Sequence, residues 1–203
     1  MNRQVFPFKA ANWLLPLLLL LFWSGQTLAN DPEQLVRQTS DNVLSKVLAN
    51  KASLKASPGK LYGLIRSYIL PHLDFYSMSQ TVLGKHWSKA SKGEQQAFVV
   101  EFRELLIRTY GTALLNYSGK EIQYSPAKVS GKYAVVRTKV PSSGGSPVSI
   151  DYRLSQRGSG WKVIDIKVGG VSLVSNYRTS FSSKASQIGV GGLVKELKAK
   201  NAG

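Results

Sequence analysis

The sequence predicts a single α+β domain: helices, then a four-stranded antiparallel sheet, then helices again. Three observations predict it. Apolar residues recur at three- to four-residue spacing from Leu35 to Tyr117, then change after Gly119 to short runs rich in Val, Ile, Tyr and Trp. The connections between those runs are too short for parallel crossovers, which need a dozen residues or more. Beyond Gly169-Gly170 the helical spacing returns, and no linker, internal repeat or low-complexity tract divides the chain.

The chain opens with a leader. Arg3 and Lys9 stand in a basic start, residues 13–23 read WLLPLLLLLFW, and Thr27-Leu28-Ala29 closes the stretch with small residues. This is the layout of a secretory signal peptide, cleaved after Ala29. The alternative is a membrane anchor, but even residues 10–23 give too short a run, since about 20 apolar residues span a bilayer. Cleavage leaves residues 30–203 as one domain.

Asp31-Pro32-Glu33 starts the first helix, with Asp as N-cap and Pro in the first turn. Its apolar residues run from Leu35 to Leu48, to about Lys51. Ser57-Pro58 starts a second helix, which carries Leu61, Leu64, Ile65, Tyr68 and Ile69 and stops at Pro71. Residues 73–83 form a third. Ser91-Lys92-Gly93-Glu94 is a capping box, with the Ser hydroxyl and Glu carboxylate each satisfying a backbone donor of the other. It opens a long helix over 92–117, whose stripe is Phe98, Phe102, Leu105, Leu106, Thr109, Tyr110, Ala113 and Tyr117. Strands follow at 121–128, 132–140, 147–154 and 161–168. In Ile150-Asp151-Tyr152-Arg153-Leu154 the apolar side chains share one face, the mark of a half-buried sheet. After Gly169-Gly170 the chain is helical to about Ile188, and a last short helix spans 193–200.

Composition narrows the function. The chain has no cysteine and two histidines, which excludes disulfides, thiolate metal sites, a cysteine nucleophile and a multi-histidine metal centre. Its 27 Lys and Arg against 11 Asp and Glu give a net charge of +16 and imply an anionic partner. Losing residues 1–29 removes only Arg3 and Lys9, leaving 174 residues at +14. A secreted basic protein meets anionic lipid or envelope surfaces and not nucleic acid. The cations are dispersed, with no block of five.

Reactive constellations are weak. His72, Asp74 and Ser77 lie too close in sequence, around a Pro-broken helix start, to assemble as a triad. Asp74 reads as a helix cap. Asp151 and Asp165 stand on neighbouring strands and could serve as paired carboxylates, but Arg153 and Lys167 follow them on the same faces and favour surface ion pairs. Gly169-Gly170 and Gly189-Val190-Gly191-Gly192 lack the Lys-Ser/Thr of a phosphate loop. His86 and Trp87 read as a packing pair. The apolar surplus fits either a filled core or a hydrophobic ligand cavity, which composition does not separate.

Several segments together resemble one family. Pro71-His72-Leu73-Asp74-Phe75, Met78, Leu83-Gly84-Lys85-His86-Trp87, Phe98-x-x-x-Phe102, Tyr110, Asp151-Tyr152-Arg153, Gly160-Trp161-Lys162-Val163-x-Asp165, Gly170-Val171-Ser172-Leu173, Asn176-Tyr177-Arg178 and Gly192-Leu193 are similar in order and spacing to the MlaC / toluene-tolerance family of periplasmic phospholipid-binding proteins. Gly169 and Gly191 depart from it, each standing where that family commonly has an acidic residue. The resemblance implies an NTF2-like α+β domain whose helices and twisted sheet enclose an apolar cavity for acyl chains. It also implies a periplasmic shuttle carrying phospholipid between an outer-membrane lipoprotein–porin complex and an inner-membrane ABC transporter complex with its lipid-binding, membrane-anchored subunit, so maintaining outer-membrane lipid asymmetry. Such a protein is a monomer and no enzyme, and it has no cofactor beyond its lipid cargo.

From apolar face and match to the family pattern, the expected tail contacts are Phe98, Phe102, Leu105 and Tyr110 on the long helix, Val136, Ile150, Tyr152 and Ile166 on the sheet, and Val171 and Leu173. No catalytic or metal-binding residue is assigned. The rival readings are an envelope hydrolase using Asp151 or Asp165 and a periplasmic adaptor with a filled core and no ligand.

Overall fold

The computed structural model describes residues 31–143, 145–158 and 160–202. The expected leader lies outside them.

Helix α1 spans Pro32–Ala49, and the Asp31 carboxylate accepts from the Glu33 N–H at 2.8 Å. Asn50 ends it, and a short helix α2, Lys51–Ala56, fills the stretch expected to link two helices. Its Leu54 is buried, and that burial offsets the weak intrinsic stability of a six-residue helix. Helix α3 is Pro58–Tyr68, followed by a 3₁₀ turn, Leu70–His72. Helix α4 is Phe75–Leu83, and Asp74 caps it by accepting from the Ser77 N–H at 2.9 Å.

The capping box forms as expected at the start of α5, Lys92–Tyr110. The expected helix to Tyr117 divides. Its α-helical part ends at Tyr110, and Gly111–Asn116 continues as 3₁₀ helix. Two contacts favour the tighter winding. A Cβ on Gly111 would lie 2.7 Å from Ile65 Cδ1, so the backbone here runs hard against α3. At the far end, the Asn116 carbonyl accepts from the Ser143 N–H at 2.9 Å and hydroxyl at 3.0 Å, fastening the segment to the sheet.

The sheet is open, with order β1-β2-β3-β4-β5 and every neighbouring pair antiparallel: β1 Gln123–Ser130, β2 Tyr133–Val140, β3 Val148–Arg157, β4 Gly160–Val168 and β5 Val171–Ser172. Four strands were expected. The fifth forms because Gly169 and Gly170, both at positive φ, turn the chain tightly enough for Val171 to pair with Val168. The β1–β2 register shifts between Ser125 and Lys128, a stretch holding Pro126, which has no N–H to give the ladder.

Helix α6, Leu173–Ala202, breaks only at Gly189 (φ 71°, ψ 171°), where the sequence places the junction between its last two helices. Gly191, the departure from the resembled pattern, lies against the capping box of α5. Its N–H bonds the Glu94 carboxylate, and a Cβ here would stand 2.7 Å from Glu94 Oε1. An acid at this position would set two carboxylates together.

Three hydrophobic cores result. One joins α4, α5 and α6 through Met78, Val82, Phe98, Phe102, Phe181 and Leu193. A second joins α1, α2, α3 and the far side of α5 through Val47, Leu54, Leu61, Ile65 and Ile107. The third packs Val36 of α1 on Ala134, Val136, Leu154, Trp161 and Val163 of the sheet.

Candidate apolar ligand cavity

Alternation decides which sheet residues face the helices: Ala134, Val136 and Val140 of β2, Val148, Ile150, Tyr152 and Leu154 of β3, and Ile166 and Val168 of β4. Along the strands this face serves two purposes. Toward one end α1 covers it directly. Toward the β2–β3 connection it stands away from α3, α5 and the Gly111–Asn116 segment, leaving a cavity of ≈370 Å³. The helical wall is Leu44, Ile65, Ile69, Leu70, Phe75, Met78, Leu106, Ile107, Tyr110 and Leu114; the sheet wall is Val140, Val148, Ile150, Tyr152, Ile166 and Val168, closed by Leu173. A smaller cavity of ≈120 Å³ lies beside it under α1, and Leu44, Ile69, Leu73, Leu114, Val140, Ile150, Tyr152 and Ile166 border both. The larger volume falls within the range of small-molecule pockets, roughly 300–1,000 Å³.

No Asp, Glu, Lys, Arg or His lines the larger cavity among the described residues. Ala113, Asn116 and Val148 are exposed and mark where the chamber between helices and sheet meets solvent. Its polar side chains are Asn116, Ser142, Tyr110, Tyr117 and Tyr152, while Tyr177 packs outside it, against the core with α6. Burial pushes the Tyr152 hydroxyl up to about 12, against opposing bonds from Thr138 and Ser40. Burial likewise pushes Tyr177 up to about 12, with the bond to Tyr110 acting in the same direction. In the smaller cavity His72 is held below the usual imidazole range by burial and then by Lys162. A chamber of this kind can hold a hydrocarbon chain.

The expected contact residues divide into two sets. Tyr110, Ile150, Tyr152, Ile166 and Leu173 line the larger cavity. Phe98, Phe102 and Leu105 do not, because they face the opposite way, into the core with α6. There Phe102 packs edge-on against Tyr177 and Phe181, with centroids at 5.3 and 6.0 Å. Val136 points to the correct side of the sheet, but α1 covers it. Val171 is 59% exposed, since no helix crosses the β5 edge. Sequence reasoning set Leu106 in the stripe without naming it a contact, and it passed over Ile107, yet both line the cavity. At about 100° per residue Ile107 points some 180° from Phe98, and that second apolar face was the available signal.

The other candidates resolve structurally. Asp74 Oδ2 accepts from the Ser77 hydroxyl at 2.6 Å and from Arg157 Nε at 2.9 Å, which commits both carboxylate oxygens. Asp165 is not the surface ion pair expected. It is buried, and it takes the Ser172 hydroxyl at 2.7 Å and the Val174 N–H at 3.2 Å, capping α6. Asp151 pairs with Arg137 across the strands at 3.5 Å, and not with Arg153. Neither Asp151 nor Asp165 lines the cavity. His86 is buried, its Nε2 3.3 Å from the Ser186 hydroxyl.

Comparison with known proteins gives concordant results. The model of the MlaC protein family matches residues 37–199. The toluene tolerance protein Ttg2D of Pseudomonas putida is 30% identical over 163 residues, covering 79% of this chain and 76% of that protein. The intermembrane phospholipid transport system binding protein MlaC of Haemophilus influenzae is 26% identical over 171 residues, covering 82% and 80%. Among solved structures, the phospholipid-binding protein of Ralstonia solanacearum, in complex with a phospholipid, superposes with a TM-score of 0.78 at 34% identity, over 85% of this chain and 97% of that one.

Proposed function

The chain belongs to the MlaC family, and from that premise we propose that it is a phospholipid-binding shuttle of the periplasm, exported by the leader at residues 1–29. The observation that carries this reading is the cavity, walled by apolar side chains from both layers and, among the described residues, lined by no carboxylate or amine.

The physical need for such a chamber is large. A diacyl phospholipid carries about 30 methylenes, and at ~0.8 kcal/mol each its free monomer in water is disfavoured by more than ~20 kcal/mol. Movement through water therefore requires a protein that buries the tails. Tails carry no polar information, so volume and apolar lining suffice. The head group stays at the mouth, near Ala113, Asn116 and Val148. In this reading the tails contact Tyr110, Ile150, Tyr152, Ile166 and Leu173 together with Ile65, Leu106 and Ile107.

The shuttle works as a monomer between an outer-membrane lipoprotein–porin complex and an inner-membrane ABC transporter complex with its membrane-anchored lipid-binding subunit. Its transfers maintain outer-membrane lipid asymmetry. It neither catalyses a reaction nor binds nucleic acid. Native mass spectrometry and organic extraction of the purified protein test this directly, and phospholipid is expected in both. A preparation without phospholipid that takes none up from vesicles would sink the carrier reading. Turnover of an envelope substrate, lost in Asp151→Asn or Asp165→Asn, would replace it with a hydrolase.

A further inference from the structure

The sheet's other face is largely exposed among the described residues; the start of α6 covers it only on β4, around Asp165. Its residues alternate with those of the cavity wall: Arg137 and Lys139 on β2, Arg153 on β3 and Lys167 on β4 are all exposed. They stand in rows across the strands, where Arg137 is opposite Asp151, and Asp151 is opposite Lys167. Asp151 is the one carboxylate open on this face, and Arg137 neutralises it. Asp165, the sheet's other acid, is buried beneath the start of α6. Glu121 lies in the segment leading into β1, outside the rows.

This charge lies next to the cavity mouth. Lys139 precedes Val140 and Lys167 precedes Val168, and both valines line the cavity. At the same end of the sheet Val148 and Val171 are exposed. Cations and two apolar side chains thus surround the end through which cargo would pass. The face offers little to a protein partner. The four long strands, about 4.8 Å apart, give a narrow platform, and its exposed aromatic side chain, Tyr133, stands at the end away from the mouth with Lys132 and Arg153 near its ring. A bilayer requires neither a wide platform nor an aromatic anchor at the mouth. Anionic head groups attract each lysine or arginine independently, and valines enter the head-group boundary without a matching cavity.

We propose that the mouth end of this exposed sheet face docks directly on an anionic phospholipid bilayer, setting the cavity opening against the head groups. This rests on the carrier reading and adds to it the surface used. Co-sedimentation with vesicles tests it, comparing phosphatidylcholine alone with phosphatidylcholine containing phosphatidylglycerol. The purified protein is expected on the anionic vesicles only, with binding that falls as salt rises. Lys139→Gln with Lys167→Gln is expected to weaken binding about 25-fold, about fivefold for each cation. Lys55→Gln with Lys89→Gln, which removes equal charge from exposed positions outside the sheet, is expected to weaken it far less. Equal loss in the two double variants overturns the proposal, as does equal binding to both vesicle types. Binding to neither type also overturns it and leaves an acidic protein surface as the partner. Native mass spectrometry of the same samples separates the two readings: protein that carries phospholipid but ignores vesicles refutes the docking surface alone.

Discussion

Asp74 and Arg157, 83 positions apart, are joined by a hydrogen bond of 2.9 Å that ties the end of β3 to the first turn of α4. Arg157 also donates to the Ser77 hydroxyl at 3.0 Å and the Ser155 hydroxyl at 2.9 Å. The same carboxylate caps α4, so one side chain serves the helix start and the contact between layers. Phe75 and Met78, which follow it, reach the cavity wall.

Asp74→Ala is expected to cost about 2 kcal/mol, from loss of an N-cap together with its charged partner. Arg157→Ala is expected to cost about 1 kcal/mol, since Arg157 is partly exposed and water screens the pair. Burial alone would raise the Asp74 carboxyl, but the bonds from Ser77 and Arg157 outweigh it and hold the group below its ordinary value. A depressed carboxyl contributes stability that is present above its unfolded value, near pH 4, and lost as pH falls through the folded one. Thermal melts of wild type and Asp74→Asn should therefore differ at pH 6 and converge in strong acid. A gap that persists there refutes this account.

Phe102 and Ile150 should separate stability from lipid binding. Phe102→Ala empties a fully buried site in the helical core and should cost about 3–5 kcal/mol in denaturant unfolding, while the folded fraction keeps its phospholipid. Ile150→Asp places a carboxylate in the half-buried cavity wall and should lower the bound phospholipid per folded molecule in native mass spectrometry. Val100→Asp, at an exposed position of α5 outside the cavity, should leave that amount unchanged.

Gly111→Ala tests the close passage between α3 and the 3₁₀ segment. The added methyl would lie 2.7 Å from Ile65 Cδ1, a cavity-wall residue, so either the Ile65 side chain turns or the two segments separate. A loss of about 1–3 kcal/mol is expected. Unchanged unfolding would mean that Ile65 adopts another rotamer at little cost.

Tyr152 and Tyr177, each raised by burial to about 12, make the fold sensitive to alkali. A raised tyrosine contributes stability that is complete below its unfolded value, near pH 10, and lost as pH rises toward the folded one. Absorbance titration of native protein should show these two phenols ionising last. In Tyr152→Phe the loss of stability between pH 10 and 12 should be smaller.

Much of the architecture was legible because its signals are local. Asp31, Asp74 and the Ser91/Glu94 box reported helix starts, since capping involves residues within one turn. The glycines at 169, 170 and 189 reported turns, because only they adopt positive φ without cost. Alternation located the four long strands, although β1 (Gln123–Ser130) and β3 (Val148–Arg157) run further along the chain than the expected 121–128 and 147–154. The short helix α2 and the fifth strand were not legible, because each is stabilised by distant partners and not by its own propensity. The cavity was half legible, and α5 shows why. An apolar stripe announces burial but not its partner, and α5 is buried on opposite sides. Its more conspicuous aromatic side met α6, while Ile107 on the opposite side joined the cavity wall, and Leu106 between them borders both.

By itself the sequence determined the order of elements, the polarity of each face, the shortage of reactive groups and the excess of positive charge, all properties of residues and their near neighbours. Tertiary structure decided which apolar faces close on each other and which stand apart. Val136 and Ile150 share one face of one sheet, yet α1 covers the first and leaves the second to the chamber. That outcome depends on where a helix a hundred residues away comes to rest, which no local pattern encodes.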